Sequence, residues 1–451
     1  MTDDTSPGIA GTATAGEFGP VKPAERIKVV DILRGFALLG ILVVNMDYFA
    51  FPAAVIFDPR IAGGFTGLDG LTWKFNSLFF LEKMMALFSM LFGAGLVLMY
   101  DRATAAGKKL GGVYYRRILW LLVIGAIHGY LLWYGDILFS YAIAGLILFL
   151  FRKRSARTLI IVGCFVLVFG ALIKTGGGFA NGLLRAQAEG VGAILDAGGS
   201  VTPQQREMYD TWQEVKQHFT PGSETMSSEI AAYRGGYRAN LESRVPMTLM
   251  MQTQALIFMV LWRAMGLMLI GMGLMKSGFL TGERSRRFYV SWAIIGYGAG
   301  LPLCGWGIKS LLDRNFDFIH YLIIGGHYNY AGSILVAMAN VSIIVLVFRA
   351  GLLTWLTDRL AGAGRMALSN YLLQTLIGTT IFYGFGFGLF NHVNRFALWG
   401  FIIAFWILQL YISPLWLRKF RFGPAEWLWR TLTYWKVQPF RVKPASTAGP
   451  S

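Results

Sequence analysis

Charged residues and cysteines are scarce in this sequence, and both shortages restrict its class. Only 14% of the 451 residues are charged while 55% are hydrophobic, and the mean hydropathy is +0.52. This composition is too apolar for a soluble globular chain and indicates a polytopic membrane protein. The two cysteines, Cys164 and Cys304, both lie within apolar runs, which argues against a disulfide framework and a cysteine metal site.

Acidic residues are also few, with 24 Asp and Glu against 41 Lys and Arg, for a net charge of +17. The basic residues form short clusters between apolar runs and do not follow one polar face, so they do not predict a nucleic-acid partner. The clusters include Lys22, Arg26 and Lys28 before the first helix, Arg102, Lys108, Lys109, Arg116 and Arg117 before the third, and Arg349, Arg359 and Arg365 before the ninth. The clusters instead predict how the chain is oriented among membrane lipids.

Long apolar runs predict an all-α polytopic membrane protein with about ten transmembrane helices, since a bilayer core needs roughly 20 apolar residues per helix. A tight hairpin at "WYGD" joins the third and fourth helices. The predicted spans are 29–51, 76–100, 117–134, 136–151, 158–176, 249–276, 288–310, 327–348, 366–389 and 397–417.

Alternate connections carry the basic clusters, and the positive-inside rule therefore predicts that these connections face the cytoplasm. An even number of helices then leaves both termini cytoplasmic. We expect a disordered cytoplasmic tail over 1–25, a transmembrane helical domain over 26–417, and a basic, aromatic cytoplasmic segment over 418–451. The expected location is a bacterial plasma (inner) membrane, which the chain crosses several times.

The segment 177–248 is the single long loop in this interpretation, on the outer side of the membrane. It contains helix-like stretches, with Thr202 as a predicted N-cap and Pro203 at the first helical position. Two roles stay open for it: a lid over a substrate, or a partly ordered connector.

The first helix, "DILRGFALLGILVVN", carries Asp31, Arg34 and Asn45 within an otherwise apolar run. Arg34 and Asn45 lie within about 20° of one helix face and roughly 16 Å apart along the axis. Asp31 precedes Arg34 by one turn and can pair with it. The residues either line a substrate site, or form an interfacial ion pair and an interhelical hydrogen bond.

His128 precedes the "WYGD" hairpin, and Asp136 is the last residue of that stretch and opens the next predicted helix. A carboxylate that orients a neutral histidine is the usual composition of a general base, because it fixes the tautomer and stabilises the imidazolium. The alternatives are an interhelical hydrogen bond from His128 and a favourable position of Asp136 at a helix N-terminus.

Further polar residues could line the same interior. Asp47 and His327 flank the predicted outer ends of helices, and Asn370 and Gln374 share a face of the ninth helix, where they line a cavity or bond to another helix. An amphipathic C-terminal stretch contains Arg418, Arg421 and Arg430, which meet either lipid headgroups or the phosphates of a nucleotide-bearing donor. The histidine spacings do not favour a metal site.

Three stretches in order, "RIKVVDILRGFALLGILVVNM", "HGYLLWYGDILFSYAIAGL" and "GRMALSNYLLQTLI" through "FRFGPAEWLWRTLTYWKVQPFR", resemble the YeiB family, which contains the domain of unknown function 418. The likeness extends from about Arg26 to Arg441. The first helix also resembles that of transmembrane acyltransferases such as the heparan-glucosaminide N-acetyltransferase, which transfer an acyl group from coenzyme A across the bilayer. The matching positions are Asp31, Arg34, Gly35 and Asn45.

This resemblance implies acyl transfer from acyl-coenzyme A to a hydroxyl or amine of a small or sugar-like acceptor on the outer side. Arg34 and the basic tail would hold the phosphates, while Asn45 and His128 would act at the thioester. Residues 51–75 contain no histidine at the position where the N-acetyltransferase has its catalytic one, so His128 is the replacement base. The alternatives are a small-molecule or lipid transporter, with a site built from Arg34, Asn370, Gln374 and His128, and a lipid-binding scaffold. A homodimer is one expectation for the assembly.

Overall fold

The structure is a computed structural model that describes residues 26–442, and all regular structure in that range is helical. The predicted tail over 1–25 and the last residues of the C-terminal segment lie outside the described residues. In chain order the helices are α1 (Lys28–Ala50), α2 (Gly67–Phe79), α3 (Lys83–Ala105), α4 (Gly111–Ile127), α5 (Leu138–Leu148), α6 (Ala156–Asp196), α7 (Pro203–Phe219), α8 (Ser223–Arg234), α9 (Tyr237–Met250), α10 (Leu261–Lys276), α11 (Arg286–Asp313), α12 (Phe318–His320), α13 (Gly326–Arg349), α14 (Thr354–Arg365), α15 (Ala367–Phe382), α16 (Leu398–Lys419) and α17 (Pro424–Tyr434).

Eight helical segments of the described chain are long and apolar enough to cross a membrane. They are Lys28–Ala50, Gly67–Ala105, Gly111–Leu132, Ala156–Asp196, Tyr237–Lys276, Arg286–Asp313, Phe318–Arg349 and Leu398–Lys419. The other two predicted spans, 136–151 and 366–389, correspond to the shorter helices α5 and α15. The protein is therefore an all-α, multi-pass membrane protein, while the count of ten crossings stays a prediction.

Most of the segment predicted as a long loop, 177–248, is helical, in agreement with the helix-like stretches in its sequence. Helix α6 continues through Gly176, Gly177 and Gly178 to Asp196, and the chain then forms α7, α8 and the start of α9. A Cβ at Gly178 would meet Leu322 and Ile323, so this glycine allows close packing and does not end the helix. The predicted cap is confirmed: Thr202 Oγ1 accepts from the Gln205 backbone N–H, and Gln205 Oε1 accepts from that of Thr202.

Close helix packing fixes the end of the bundle where α1 begins. A Cβ at Gly35 would overlap the backbone oxygen of Leu360, and one at Gly364 would overlap that of Asp31. Helices α1 and α14 therefore touch backbone to backbone, as small residues permit in membrane helices. We call this end of the bundle the basic end, and the end with the 133–137 turn the opposite end.

Three helical segments adopt π-helical geometry: His128–Leu132 after α4, Met251–Val260 before α10, and Tyr321–Gly325 before α13. Such wider turns are uncommon and occur frequently at functional sites. His128, the predicted base, is the first residue of the first such segment.

Candidate functional site

A cavity of about 260 Å³ opens at the basic end of the bundle. Seven helices contribute to its wall, and most of its lining is aliphatic or aromatic. Representative lining residues are Leu38 of α1, Phe88 of α3, Ile118 of α4, Leu138 of α5, Leu368 of α15 and Trp429 of α17. An apolar pocket with a few convergent polar groups is the usual form of a small-molecule site.

Arginine is the main polar residue of this cavity. Six arginines and only two carboxylates line it, so its formal charge is positive by four. The arginines are Arg26, Arg34, Arg102, Arg117, Arg365 and Arg430, and the carboxylates are Asp31 and Glu426. Cations gathered over an apolar chamber favour a ligand with an anionic head and an apolar body.

Helix α1 supplies one polar and apolar stripe of the lining. Asp31, Arg34, Leu38 and Ile41 recur at helical spacing and all line the cavity. Asp31 Oδ1 accepts a hydrogen bond from Arg34 Nη1 at 2.9 Å, which confirms that the predicted pair forms, and Arg26 Nη1 lies 3.5 Å from Asp31 Oδ2. The stripe therefore begins at Asp31, whose carboxylate contacts both Arg26 and Arg34, and ends at the apolar residues Leu38 and Ile41.

Helix α17 closes the cavity beside α4. The guanidinium carbon of Arg117 lies 3.6 Å from the ring centroid of Trp429, whose Nε1 donates to the Arg117 carbonyl. Burial and nearby guanidinium groups lower the pKa of Arg430, and burial lowers the pKa of Arg26 and of Arg365. A bound anion would relieve this repulsion. The predicted amphipathic helix thus forms, but its buried face packs on protein and not on lipid.

Glu426 is a part of the site that the sequence did not indicate. Its Oε1 accepts from the backbone N–H groups of Leu368 at 2.7 Å and Ser369 at 3.1 Å, and its Oε2 accepts from the Ser369 hydroxyl. These amides belong to the first turn of α15, whose positive end favours a carboxylate. Burial raises the pKa of Glu426. The residue fastens α17 to α15 at the cavity wall.

His128 and Asp136, the candidate base and its carboxylate, lie within hydrogen-bond distance of each other. His128 Nδ1 lies 2.8 Å from Asp136 Oδ1, and each side chain is 1% exposed. Asp136 Oδ2 also accepts from the Phe139 backbone N–H at 2.7 Å, which fixes the carboxylate. His128 Nε2 lies 2.9 Å from Thr375 Oγ1 of α15, a third member that the sequence did not indicate. With the proton on Nδ1, Nε2 accepts from a hydroxyl, as a general base does.

Tyr371 connects the cavity with the triad formed by His128, Asp136 and Thr375. Its side chain lines the cavity, and its ring centroid lies 5.1 Å from that of His128. His128 itself is not part of the lining. Tyr371 and Thr375 are one helical turn apart on α15, so the cavity wall and the triad share a helix face.

Asn45 lies beyond the cavity. It is half-buried on α1, its side chain makes no hydrogen bond with another described residue, and it does not line the cavity. The predicted stripe from Arg34 to Asn45 therefore stops near Ile41, about one turn short. Both ring nitrogens of His128 have other partners, Asp136 and Thr375, and neither bonds to Asn45.

Asp47 and His327 do not line the cavity, and each has its own partners. Asp47 Oδ2 lies 3.2 Å from Arg395 Nε, and the fully buried Arg395 also donates to the carbonyls of Pro59 and Ala62. His327 Nε2 lies 2.9 Å from Thr175 Oγ1. Neither residue forms a hydrogen bond or ion pair with His128.

The polar residues of α15 and α16 bond to one another. Asn370 Nδ2 donates to Ser413 Oγ at 3.0 Å, and Gln374 Nε2 donates to Gln409 Oε1 at 2.9 Å. Of the two predicted roles, they fill that of interhelical bonding, and neither lines the cavity. Of the four residues predicted to form a transporter site, Arg34, Asn370, Gln374 and His128, only Arg34 lines the cavity.

Of the three tail arginines, only Arg430 lines the cavity, and the side chains of Arg418 and Arg421 are exposed. Among residues 26–442, no group of three or more His, Cys, Asp or Glu is arranged to hold a metal ion.

The arginines that the sequence reasoning left out of the site were already visible as basic clusters between apolar runs. Arg26, Arg102, Arg117 and Arg365 were assigned only to membrane orientation. Their convergence depends on how four separate chain segments meet at the basic end. No comparable signal marked Thr375, a common residue in membrane helices.

Comparison with known proteins places the chain in a family. A family model described as "Protein of unknown function (DUF418)" matches residues 274–436. The chain is 32% identical over 428 residues to the uncharacterized protein YeiB of Escherichia coli (strain K12), covering 91% of this chain and 96% of that protein. The chain belongs to the YeiB family. The uncharacterized protein YxaH of Bacillus subtilis (strain 168), another relative, is 32% identical over 440 residues, covering 94% of this chain and 98% of that protein.

No solved structure matches this YeiB-family chain. The DUF418 region contains Arg365, Tyr371, Thr375 and Arg430, whereas Arg34 and the His128–Asp136 pair precede it. The two parts of the site therefore come from both halves of a YeiB-family chain, and the names of the relatives assign no activity to either half.

Proposed function

We propose that this protein is a membrane-embedded acyltransferase that moves an acyl group from acyl-coenzyme A to a hydroxyl or amine acceptor. The observation that carries the proposal is the apolar cavity with six arginines at the basic end. The His128–Asp136–Thr375 arrangement behind Tyr371 supports a chemical step next to it. A bacterial inner membrane is the proposed location, with the basic end toward the cytoplasm, where acyl-coenzyme A is found.

The arginines are suited to the phosphates of the donor. Guanidinium groups make bidentate, charge-assisted hydrogen bonds to phosphate and stay protonated near neutral pH. Arg34 and Arg430 come from α1 and α17, so a phosphate between them would join two elements. The excess of arginines over carboxylates in the lining leaves positive charge for several phosphate groups.

The apolar part of the cavity suits the rest of the donor. The α1 stripe from Asp31 to Ile41 spans ten residues, or about 15 Å along the axis. Aromatic and aliphatic side chains along this path, among them Phe88 and Leu121, would contact the pantetheine arm and acyl chain. The thioester then lies near Tyr371.

His128 acts as the general base of the transfer. Its Nε2, which accepts from the Thr375 hydroxyl, takes the proton of the acceptor hydroxyl or amine as that group attacks the thioester carbonyl. The C–S bond breaks, a C–O or C–N bond forms, and the imidazolium returns the proton to the departing thiolate of coenzyme A. Asp136 stabilises the imidazolium throughout.

Binding and turnover in detergent-purified protein test this proposal separately. Acetyl- and palmitoyl-coenzyme A should raise the thermal midpoint, since a ligand stabilises by RT ln(1 + [L]/Kd), about 2.7 kcal/mol at a hundredfold excess over Kd. Arg34→Gln and Arg430→Gln should weaken the effect, and the exposed Arg238→Gln should not. Release of free coenzyme A thiol should be detectable in wild type and lost in His128→Asn. Absence of both stabilisation and thiol release would refute the donor assignment.

A transporter without covalent chemistry is a second candidate, favoured by the two π-helical segments Met251–Val260 and Tyr321–Gly325, which lie within spanning helices. It predicts that an anionic ligand stabilises the protein through Arg34 while no thiol is released. Wild-type protein in vesicles would then move that ligand, and His128→Asn would not abolish the thermal stabilisation.

A further inference from the structure

A second cluster of buried charges lies away from the arginine-lined cavity, between α3, α6, α10 and α13. It contains Lys83, Lys174, Arg263 and Glu82, and none of them lines the cavity. The three cationic residues are 0%, 7% and 3% exposed, respectively. Such groups are costly inside a membrane protein unless they are paired or functional.

Two of the cations are held by neutral groups and one carboxylate. Lys83 Nζ donates to the Ser77 carbonyl at 2.7 Å and to Asn329 Oδ1 at 2.5 Å. Arg263 Nη2 lies 3.0 Å from Glu82 Oε2. Glu82 is thus the one carboxylate within ion-pair distance of these cations among the described residues.

Arg263 is held further by α13. Its Nη1 donates to the Tyr330 carbonyl at 3.0 Å and its Nη2 to Ser333 Oγ at 2.6 Å, while its Nε makes no hydrogen bond. Its charge is therefore fixed in position by two helices.

Lys174 has no hydrogen-bond acceptor among the described residues. Its Nζ lies 3.9 Å from the ring centroid of Tyr321, a cation–π contact. It also interacts electrostatically with Glu82, Arg263 and His327, so it faces the same cluster. Gly326 makes room for it, because a Cβ at that position would overlap the ammonium nitrogen.

The charges of this cluster do not balance. Three cations face one carboxylate, and the positive end of α3, which begins at Lys83, adds to the positive potential. Unbalanced charge in a low-dielectric interior is expensive, and an ammonium without acceptors leaves its donors unsatisfied. We propose that this cluster binds the carboxylate or phosphate group of a small anionic ligand, with Lys174 as its principal donor.

This anion site goes beyond the proposed acyl transfer and does not rest on it. Lys174, Arg263 and Lys83 would each provide an N–H group toward an anion that Glu82 alone does not neutralise. The spare donors of one ammonium, and Arg263 Nε, suit a group with two or more oxygen acceptors. His327, which contacts Thr175 beside Lys174, would border the ligand.

The test is thermal stability of the full chain in detergent, with acetate and inorganic phosphate as probes at constant ionic strength set by sodium chloride. Wild type should show a saturable rise of the midpoint with at least one probe. Lys174→Met should weaken the apparent affinity about tenfold or more, since a charge-assisted donor is lost. Lys174→Arg should retain part of the effect, and Lys309→Met, at an exposed lysine, should match wild type.

The arginine-lined cavity supplies the decisive control. Arg34→Gln and Arg430→Gln together should keep the part of the response to acetate and phosphate that Lys174→Met removes, although they abolish any phosphate binding in the arginine-lined cavity and weaken binding of acyl-coenzyme A. No saturable rise in wild type, an unchanged response in Lys174→Met, or a response lost in the double arginine variant would each overturn the anion site. If Lys174→Met does not fold, Gly326→Ala tests the same position, because its methyl group displaces the ammonium.

Discussion

At the scale of single residues, the triad shows how one hydrogen-bond partner determines what an imidazole can do. The Asp136 carboxylate accepts a hydrogen bond from the Nδ1–H of His128. Nε2 therefore carries no proton and accepts a hydrogen bond from the Thr375 hydroxyl. The carboxylate also caps the backbone N–H of Phe139. The pair is therefore built from local turn geometry as well as from burial.

Asp136→Asn tests the tautomer. The amide would donate to Nδ1 and move the imidazole proton to Nε2, so His128 would donate to Thr375 and lose its function as a base. Coenzyme A release should fall by about 10²-fold or more, because general bases contribute roughly 10²–10⁴. The thermal shift with acetyl-coenzyme A should stay unchanged. Turnover equal to wild type would show that His128 is structural, and the exposed Asp313→Asn is the matched control.

Glu229 of α8, which lies outside the membrane-spanning helices, should make the stability of the protein depend on pH. Its Oε1 accepts from the Ala53 backbone N–H at 2.9 Å, and burial raises its pKa above the ordinary value of 4.5. The folded protein therefore binds this proton more tightly than the unfolded chain, and the resulting stability is lost as pH rises through the folded pKa.

Glu229→Gln should remove this contribution. The thermal midpoint of wild type should fall relative to that of Glu229→Gln as the pH rises above the ordinary pKa of 4.5. Glu224→Gln, at an exposed position of the same helix, should follow wild type. A difference that stays constant with pH would contradict this assignment.

At the scale of elements, helix ends and glycine contacts determine the shape of the basic end. Helix α15 begins at Ala367 with no cap from its own N-cap residue, Met366. The Glu426 carboxylate of α17 caps this helix instead. The cavity wall thus depends on two contacts between elements that are distant in sequence.

Glu426→Ala should lower the free energy of unfolding by about 1–2 kcal/mol, because two amides of the first turn of α15 lose their acceptor. It should also weaken acyl-coenzyme A binding, since α17 carries Arg430. The measurement is the thermal midpoint with and without ligand. Asp358→Ala, which removes an exposed pair with Lys28, should cost much less, and an equal loss in both variants would argue against a capping role.

Gly364→Ala should separate α1 from α14. Its methyl group would overlap the Asp31 carbonyl, and overpacking of this kind costs about 1–3 kcal/mol. Gly190→Ala, at an exposed helical position with no neighbour near the added Cβ, should be neutral or stabilising. Thermal midpoints of the two variants measure the difference, and a harmless Gly364→Ala would show that the helices can move apart without cost.

At the scale of the whole molecule, the two buried charge clusters lie in different parts of the bundle. The arginines gather between α1, α4, α14, α17 and the end of α3, and the lysine cluster lies between α6, α10, α13 and the start of α3. The proposal that the basic end faces the cytoplasm determines which compartment supplies each ligand.

Cysteine labelling in intact cells tests this orientation, in a Cys164→Ser background that keeps the buried Cys304. Gly199→Cys, in the connection before α7, should react with a membrane-impermeant maleimide added outside. Lys109→Cys, in the connection before α4, should react only after permeabilisation. The reverse result would place the arginine-lined cavity on the outer side and would exclude cytoplasmic acyl-coenzyme A as its ligand.

Much of the fold and part of the site followed from the sequence. The apolar runs required membrane helices, because hydrocarbon leaves backbone groups no other partners. The Asp31–Arg34 pair and the Thr202 cap followed from spacing within one helix turn, and His128 and Asp136 were candidates near one short hairpin. In these cases the interacting residues are near in sequence, so local geometry is sufficient.

Only the tertiary structure decided which polar residues meet across the bundle. Six arginines from separate segments line one cavity, Glu426 caps a helix that begins 59 positions earlier at Ala367, and Thr375 completes the triad. Asn45, Asn370 and Gln374 fit the sequence pattern of a site and yet lie outside the cavity. Helix periodicity determines the face on which a residue lies, but the partner of that face depends on packing between distant helices, which one sequence does not specify.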